Sequence, residues 1–275
     1  MIKLISIDVD GTLVTPLKRL TKENIRAIDA ARDLGVHIAI ASGRPYSGVK
    51  SLVKKLGLVE EGNFSVCQNG SYVFDNKTHE VIAGTYQNPK DLKIVDDLVK
   101  DFDVQISAMN HDSFYTRHKR ANIYTKVDAI IAQLALEVKS YDDFPEDKTF
   151  GRILIMGSKS AIDKLNANMP EKLLTDYYSV RTAPWLIEVM NPKTNKGFAV
   201  SAMAKKLNIS QDEIMSIGNE KNDIPMLEQA GFAVAMENSV DELKKHADFI
   251  TKSNLRSGVG YAINRLIDNN LEKFQ

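Results

Sequence analysis

Two carboxylates one residue apart, Asp8 and Asp10, close an apolar run and are followed by Gly11-Thr12-Leu13. The run Leu4-Ile5-Ser6-Ile7 has the length and β-branched content of a buried strand. Asp8 and Asp10 therefore fall at the strand's carboxyl end and just beyond it, the edge at which open α/β sheets bind ligands. Residues two apart share a face of a strand, so both carboxylates can aim at one point. Anions that close repel unless a cation or a shared proton lies between them. A plain turn accounts for one Asp and the glycine, but not for Asp-Val-Asp followed by Gly-Thr-Leu.

Further along the chain, three more polar groups fall at strand ends or helix starts. Ser42-Gly43-Arg44-Pro45 separates an apolar strand, 36–41, from a helix beginning at Tyr46. A hydroxyl and a glycine at such a turn expose backbone N–H groups to an anion such as phosphate. Lys196-Gly197 opens a helix, and Gly218-Asn219-Glu220-Lys221-Asn222-Asp223 is an oxygen-rich loop after the strand 213–217. Each of these is weak alone, since Ser-Gly and Lys-Gly pairs are common in turns and on surfaces. Together they supply a carboxylate nucleophile, a second carboxylate, a hydroxyl, a cation and oxygen donors. Phosphoryl transfer needs that set, because its catalysis is mostly positioning and charge neutralisation. A carboxylate attacking phosphorus would form an aspartyl phosphate, and a hard divalent cation such as Mg2+ is needed to bring two anions together.

The elements that must position these groups follow from the periodicity. Strand 4–7, a helix capped by Thr21, strand 36–41, the helix from Tyr46 and strand 64–67 alternate as in a parallel sheet with crossover helices. A hairpin is predicted at 72–82 around Asp75-Asn76-Lys77. The middle of the chain reads as α+β: helices at 90–100, 123–134 and 161–169, with strands at 104–108, 114–116, 152–156, 178–181 and 186–190. Alternation returns from Asn191 onward. The fold class predicted is α/β, a Rossmann-like core with a parallel sheet, formed by residues 1–85 and 186–275. An inserted α+β domain occupies 86–185.

The totals bound the function. In 275 residues, 36 basic and 36 acidic side chains give no formal net charge, without the basic surplus of an electrostatic nucleic-acid binder. The cluster Arg117-His118-Lys119-Arg120 reads as solvated surface. Cys67 is the only cysteine, which excludes an intramolecular disulfide or a cysteine zinc cluster and fits a reducing, cytoplasmic setting. No apolar run approaches the ~18 residues needed to span a bilayer, so no membrane partner is expected. The early strand predicts that no signal peptide is present.

Asp8-Val9-Asp10-Gly11-Thr12-Leu13 resembles the first motif of the haloacid dehalogenase superfamily of phosphatases. Ser42-Gly43-Arg44 resembles its second motif, Lys196-Gly197 its third and Gly218 to Asp223 its fourth. Their order matches, and the insertion between the second and third resembles a type C2 cap. Asn69-Gly70, Ala235-Met236-Glu237-Asn238 and Gly258-Val259 resemble further landmarks of the Cof-type subfamily. The resemblance implies a Mg2+-dependent phosphatase of small phosphorylated metabolites, with sugar phosphates foremost. It implies Asp8 as nucleophile and Asp10 as acid and base. It makes Val9, Ser42, Gly43, Lys196 and Asn222 phosphate-binding positions, and Asp8, the Asp10 carbonyl, Asn219 and Asp223 metal-binding ones. The fourth motif usually reads Gly-Asp where this chain has Gly218-Asn219, so one negative charge is missing. That predicts weaker Mg2+ affinity, with Glu220 or Asp223 as candidates to compensate. The residue before Gly258-Val259, usually acidic, is Ser257. Competing readings are a phosphotransferase or phosphomutase, a non-catalytic phosphometabolite sensor motivated by Asn219, and a receiver-type domain. In the last, Asp10 and the insertion would have no job.

Overall fold

The computed structural model describes residues 1–274. In chain order the elements are β1 (Leu4–Asp8), α1 (Lys22–Asp33), β2 (His37–Ala41), α2 (Tyr46–Lys55), β3 (Phe64–Cys67), β4 (Tyr72–Asp75), β5 (Val81–Gly84) and α3 (Pro89–Val99). There follow β6 (Val104–Met109), β7 (Ser113–Thr116), α4 (Ile123–Ala132), β8 (Ala135–Val138), β9 (Arg152–Gly157), α5 (Lys159–Ala167), α6 (Glu171–Thr175), β10 (Tyr178–Ala183) and β11 (Leu186–Met190). The chain ends with α7 (Lys196–Leu207), β12 (Ile214–Gly218), α8 (Ile224–Glu228), β13 (Phe232–Ala235), α9 (Asp241–Lys244), β14 (Phe249–Ile250) and α10 (Gly258–Asp268). Short 3-10 turns intervene, among them Gln68–Gly70 and Lys221–Asp223. The chain divides into two compact units. One comprises Met1–Arg44, Val49–Ala83 and the chain from Asn195 onward, the other Pro45–Gly48 and Gly84–Thr194.

The first unit is built on an eight-stranded sheet in the order β14-β13-β12-β1-β2-β3-β4-β5. The pairings from β14 through β3 are parallel, and β4 runs antiparallel to β3. Ile5 and Ile7 of β1 point to one face and pack with Ala27, Ile28, Leu52, Ala262 and Ile263 of α1, α2 and α10. Leu4 points to the other and packs with Ala199, Met203, Met226 and Leu243 of α7, α8 and α9. Helices thus cover both faces, which is why β1 reads as a continuous apolar run rather than an alternating one. Burying each of those isoleucines contributes about 1.5–3 kcal/mol. With β1 between β2 and β12, Asp8 pairs with Ala41 and Ile7 with Ile217. The residues after these three strands, Val9, Ser42 and Asn219, are therefore neighbours at one carboxyl edge.

The second unit carries a six-stranded sheet, β10-β11-β9-β6-β7-β8, antiparallel except between β7 and β8. Helices α3 and α5 cover one face through Leu92, Val95, Ile162 and Leu165, and α4 packs on the other through Ala129 and Ala132. The strand Leu186–Met190 pairs with β9 and β10 inside this sheet, so the second unit runs to Thr194 rather than ending at 185. An isolated Leu-Ile-Glu-Val-Met pattern cannot tell which sheet will receive it. Strand β8 and helix α6 were also not anticipated. β8 is an exposed edge strand of four residues, too short for periodicity to register.

Candidate active site

Asp8 is the last residue of β1 and is 5% exposed. Beyond it the strand gives way to a tight turn in which the Leu13 N–H donates to the carbonyls of Asp8 and Val9 and the Val14 N–H to that of Val9. The turn changes what the Asp-Val-Asp spacing does. Strand alternation stops at Asp8, so the two carboxylates take different partners. The Asp8 carboxylate turns inward, while that of Asp10 is 39% exposed and accepts from Arg44 Nε at 2.9 Å, Arg44 Nη2 at 2.6 Å and Lys18 Nζ at 2.5 Å. Lys18 lies in a small hairpin between Val14 and Leu20, at a left-handed φ of 57°.

Lys196 comes from the opposite flank. Asn195 caps α7 by accepting from the Phe198 N–H, which fixes Lys196 as the first helical residue. Its side chain, 1% exposed, donates to Asp8 Oδ1 and to Asp223 Oδ1, each at 2.6 Å. Asp223 is fully buried, and its Oδ2 accepts from the backbone N–H groups of Asn219 and Glu220 at 2.9 and 3.0 Å. Both its oxygens are therefore engaged, one by the lysine and one in shaping the loop. Glu220 contributes its N–H to the loop, and its side chain is exposed. Burial, then the charge of Asp223, push the Asp8 carboxyl up to about 7 against the opposing ammonium. Burial alone would lower the Lys196 ammonium, but the charges of Asp223 and Asp8 outweigh it and raise it.

Asn219, 5% exposed, completes the interior. One atom of its side-chain amide lies 3.0 Å from Asp8 Oδ2, 3.0 Å from the Asp10 carbonyl oxygen and 2.9 Å from Thr12 Oγ1. A Cβ on Gly11 would come within 2.5 Å of that amide, and Gly11 has φ +84°, so glycine is required there on both counts. The turn is pinned from outside by three amides, of which only Asn238 belongs to a landmark of the sequence. Asn238 Nδ2 donates to the Gly11 carbonyl, Asn254 Nδ2 to Val14 and Asn24 Nδ2 to Leu13.

Ser42 is buried, donates its N–H to Val66 and accepts at Oγ from the Arg44 N–H at 3.1 Å. Gly43 lies against the Asn69 amide, where a Cβ would come within 3.3 Å of it. Asn222 is exposed and donates to Asn69 Oδ1 at 3.1 Å. Asn69, at φ 57°, thus joins the second and fourth loops and belongs with the site residues. The signal for it was Asn-Gly closing a strand, which sequence alone reads as a turn.

No group of three or more His, Cys, Asp or Glu side chains placed to hold a metal ion exists among the described residues. The oxygen set fits Mg2+ nonetheless. Asp8 Oδ2, the Asp10 carbonyl and the Asn219 amide are hard oxygen donors, only one of them a carboxylate. The 3.0 Å separations match the ~2.9 Å between adjacent ligands of an octahedron with ~2.1 Å bonds. Charge agrees too. The carboxylates of Asp8, Asp10 and Asp223 are balanced by Lys18, Arg44 and Lys196, and a divalent ion would leave the surplus that a phosphate dianion requires.

The chain matches the family of haloacid dehalogenase-like hydrolases over residues 5–263 and belongs to it. It is 32% identical over 267 residues to YxeH of Bacillus subtilis, named as a phosphatase, covering 97% of this chain and 99% of that one. It is 30% identical over 264 residues to the 5-amino-6-(5-phospho-D-ribitylamino)uracil phosphatase YcsE of the same organism, covering 95% and 94%. A haloacid dehalogenase-like hydrolase from Bacteroides thetaiotaomicron superposes with a TM-score of 0.83 at 24% identity, over 97% of this chain and all of that one, which shows the shared fold. The protein is a phosphatase acting on phosphorylated substrates. No helix among the described residues is long and apolar enough to cross a membrane.

Proposed function

We propose that the protein is a Mg2+-dependent phosphatase of small sugar or sugar-alcohol phosphates, working through an aspartyl phosphate on Asp8. The observation that carries this is the division of labour between the two oxygens of Asp8. Oδ1 is held by Lys196 at 2.6 Å, and Oδ2 lies 3.0 Å from the inward atom of the Asn219 amide, which is also 3.0 Å from the Asp10 carbonyl oxygen. Asp8 Oδ2, the Asp10 carbonyl and Asn219 would hold the ion, which when bound supplies charge neutralisation to the phosphoryl oxygens. Asp8 Oδ1 attacks phosphorus, the bond from phosphorus to the ester oxygen breaks, and Asp10 gives its proton to the departing alkoxide. Asp10 then takes a proton from water, whose oxygen attacks phosphorus, and the bond to Asp8 breaks with release of inorganic phosphate. Lys196 neutralises the attacking carboxylate. The N–H groups and hydroxyl of the Ser42-Gly43 turn, the Val9 N–H and Asn222 hold the remaining phosphoryl oxygens.

The sugar-alcohol part rests on YcsE, whose named substrate carries a phosphate on a ribityl chain. The test is release of inorganic phosphate from a panel of phosphorylated metabolites with Mg2+ or EDTA. The expected result is Mg2+-dependent turnover, fastest on sugar-type phosphates, and an acid-quenched enzyme heavier by one phosphoryl group. Turnover unaffected in Asp8→Asn would overturn the mechanism. Phosphate release that requires an added acceptor alcohol would favour a phosphotransferase.

A further inference from the structure

We propose that the Asn219 side-chain amide is a two-position element, nitrogen inward in the metal-free chain and oxygen inward when a divalent cation is present. The inference rests on the proposed Mg2+ dependence for its second position only. The inward amide atom sits within 3.0 Å of three oxygens, those of Asp8 Oδ2, the Asp10 carbonyl and Thr12. With oxygen inward, only the Thr12 hydroxyl can donate to it, and it confronts the lone pairs of Asp8 and Asp10 with no proton between. With nitrogen inward, its two N–H groups can donate to two of these three oxygens at a time. A cation at the same point reverses the preference, since it needs an oxygen there.

Only the amide has to move. The Asn219 N–H is bound to Asp223 Oδ2, and the Asn219 carbonyl accepts from the Val240 N–H at 3.1 Å. Rotation about the bond to the amide exchanges its two ends without shifting the loop. An aspartate at this position has no such second state. In the metal-free chain it would put a carboxylate 3.0 Å from Asp8 Oδ2, a fourth negative charge against three cations, in a buried site. Asparagine thus gives up one charge of metal attraction and keeps the site assembled without the ion.

Thermal unfolding of wild type and Asn219→Asp, each in EDTA and in Mg2+, tests this, with calorimetric Mg2+ titration of both. The expected result is a metal-free Tm for Asn219→Asp lower by roughly 6–12 °C, a larger rise on adding Mg2+, and Mg2+ affinity at least about tenfold above wild type. The double variant Asp8→Asn/Asn219→Asp should recover most of the metal-free Tm, because the like-charge contact is gone. In 15N-labelled wild type, the Asn219 side-chain NH2 should be protected from exchange in EDTA and shift on Mg2+ addition. Equal metal-free Tm values for wild type and Asn219→Asp, or an Asn219 NH2 signal unmoved by saturating Mg2+, would overturn the proposal and leave the phosphatase reading standing. Absence of any Mg2+ binding to either protein would instead overturn the metal dependence, and the second position with it.

Discussion

Replacing Lys196 with methionine isolates the electrostatic core of the site. The ammonium is 1% exposed and lies 2.6 Å from one oxygen each of Asp8 and Asp223, which are themselves 5% and 0% exposed. Methionine keeps the unbranched shape and removes the charge, leaving two buried carboxylates facing each other. Removing one partner of a buried pair typically costs about 3–5 kcal/mol, because the remaining charge is uncompensated. For a unit of this size each kcal/mol moves Tm by about 2–4 °C, so the expected loss at pH 8 in EDTA is about 6–20 °C. The pH dependence has a definite sign. Burial and Asp223 already hold the Asp8 carboxyl at about 7, above its unfolded value of about 3.9, and loss of the ammonium raises it further. A raised carboxyl contributes stability that is complete below the unfolded value and is lost as pH climbs through the folded one. The variant should therefore be closest to wild type at pH 5 and furthest from it at pH 8. Scanning calorimetry at both pH values measures this, and Lys196→Met/Asp223→Asn should recover part of the loss. A single variant with wild-type Tm at pH 8, or a penalty that grows on acidification, would show that the lysine is not compensating these carboxylates.

Four further outcomes are expected. Asp8→Asn should abolish phosphate release while leaving the circular-dichroism spectrum unchanged. Gly11→Ala should lower Tm and weaken Mg2+ binding together, since φ is +84° and the new Cβ meets the Asn219 amide; calorimetry reads both. Burial raises the Asp10 carboxyl, but hydrogen bonds and charges from Arg44 and Lys18 outweigh it and hold it below the usual carboxylate range. Lys18→Met should thus move the pH at which turnover declines for want of protonated Asp10 upward, by less than about one unit because Lys18 is exposed; a pH–rate profile reads it. In the second unit Arg152 Nη1 reaches both oxygens of buried Glu188 at 2.9 Å while Arg152 Nε has no partner. Glu188→Gln should destabilise by about 3 kcal/mol, and replacing both residues with leucine and methionine should cost less, by denaturant unfolding.

The legible and illegible parts of the site divide along a physical line. Strand ends, caps and crossover helices are local properties, so Asp8, Ser42, Lys196 and the loop after β12 could be put at one sheet edge from residue types alone. The partners within that edge depend on which backbone atoms turn inward, and no residue type encodes that. Asp223 has the composition of a metal ligand, and composition does not show that its oxygens also accept from Lys196 and two N–H groups. Asn69 and Asn238 look like turn residues, yet one ties Asn222 to the second loop and the other holds the Gly11 carbonyl. The boundary near residue 190 was illegible for the same reason, because β11 carries no mark of the sheet it joins.

The turn after β1 explains why two aspartates so close together can do different work. Had the strand continued to Asp10, both side chains would lie on one face, and their repulsion would raise one carboxyl at the expense of the other. The Leu13 N–H bonds to Asp8 and Val9 end the strand first. Asp10 then contributes its carbonyl to the interior and sends its carboxylate out to Arg44 and Lys18. A backbone oxygen carries no net charge, cannot be protonated in the working pH range and cannot swing away. The interior point therefore has only one charged oxygen, that of Asp8, beside two neutral ones from Asp10 and Asn219. The Asp10 carboxyl stays partly solvent-reachable, where the proposed proton transfers would need it, and that placement follows from Gly11, whose positive φ the turn cannot do without.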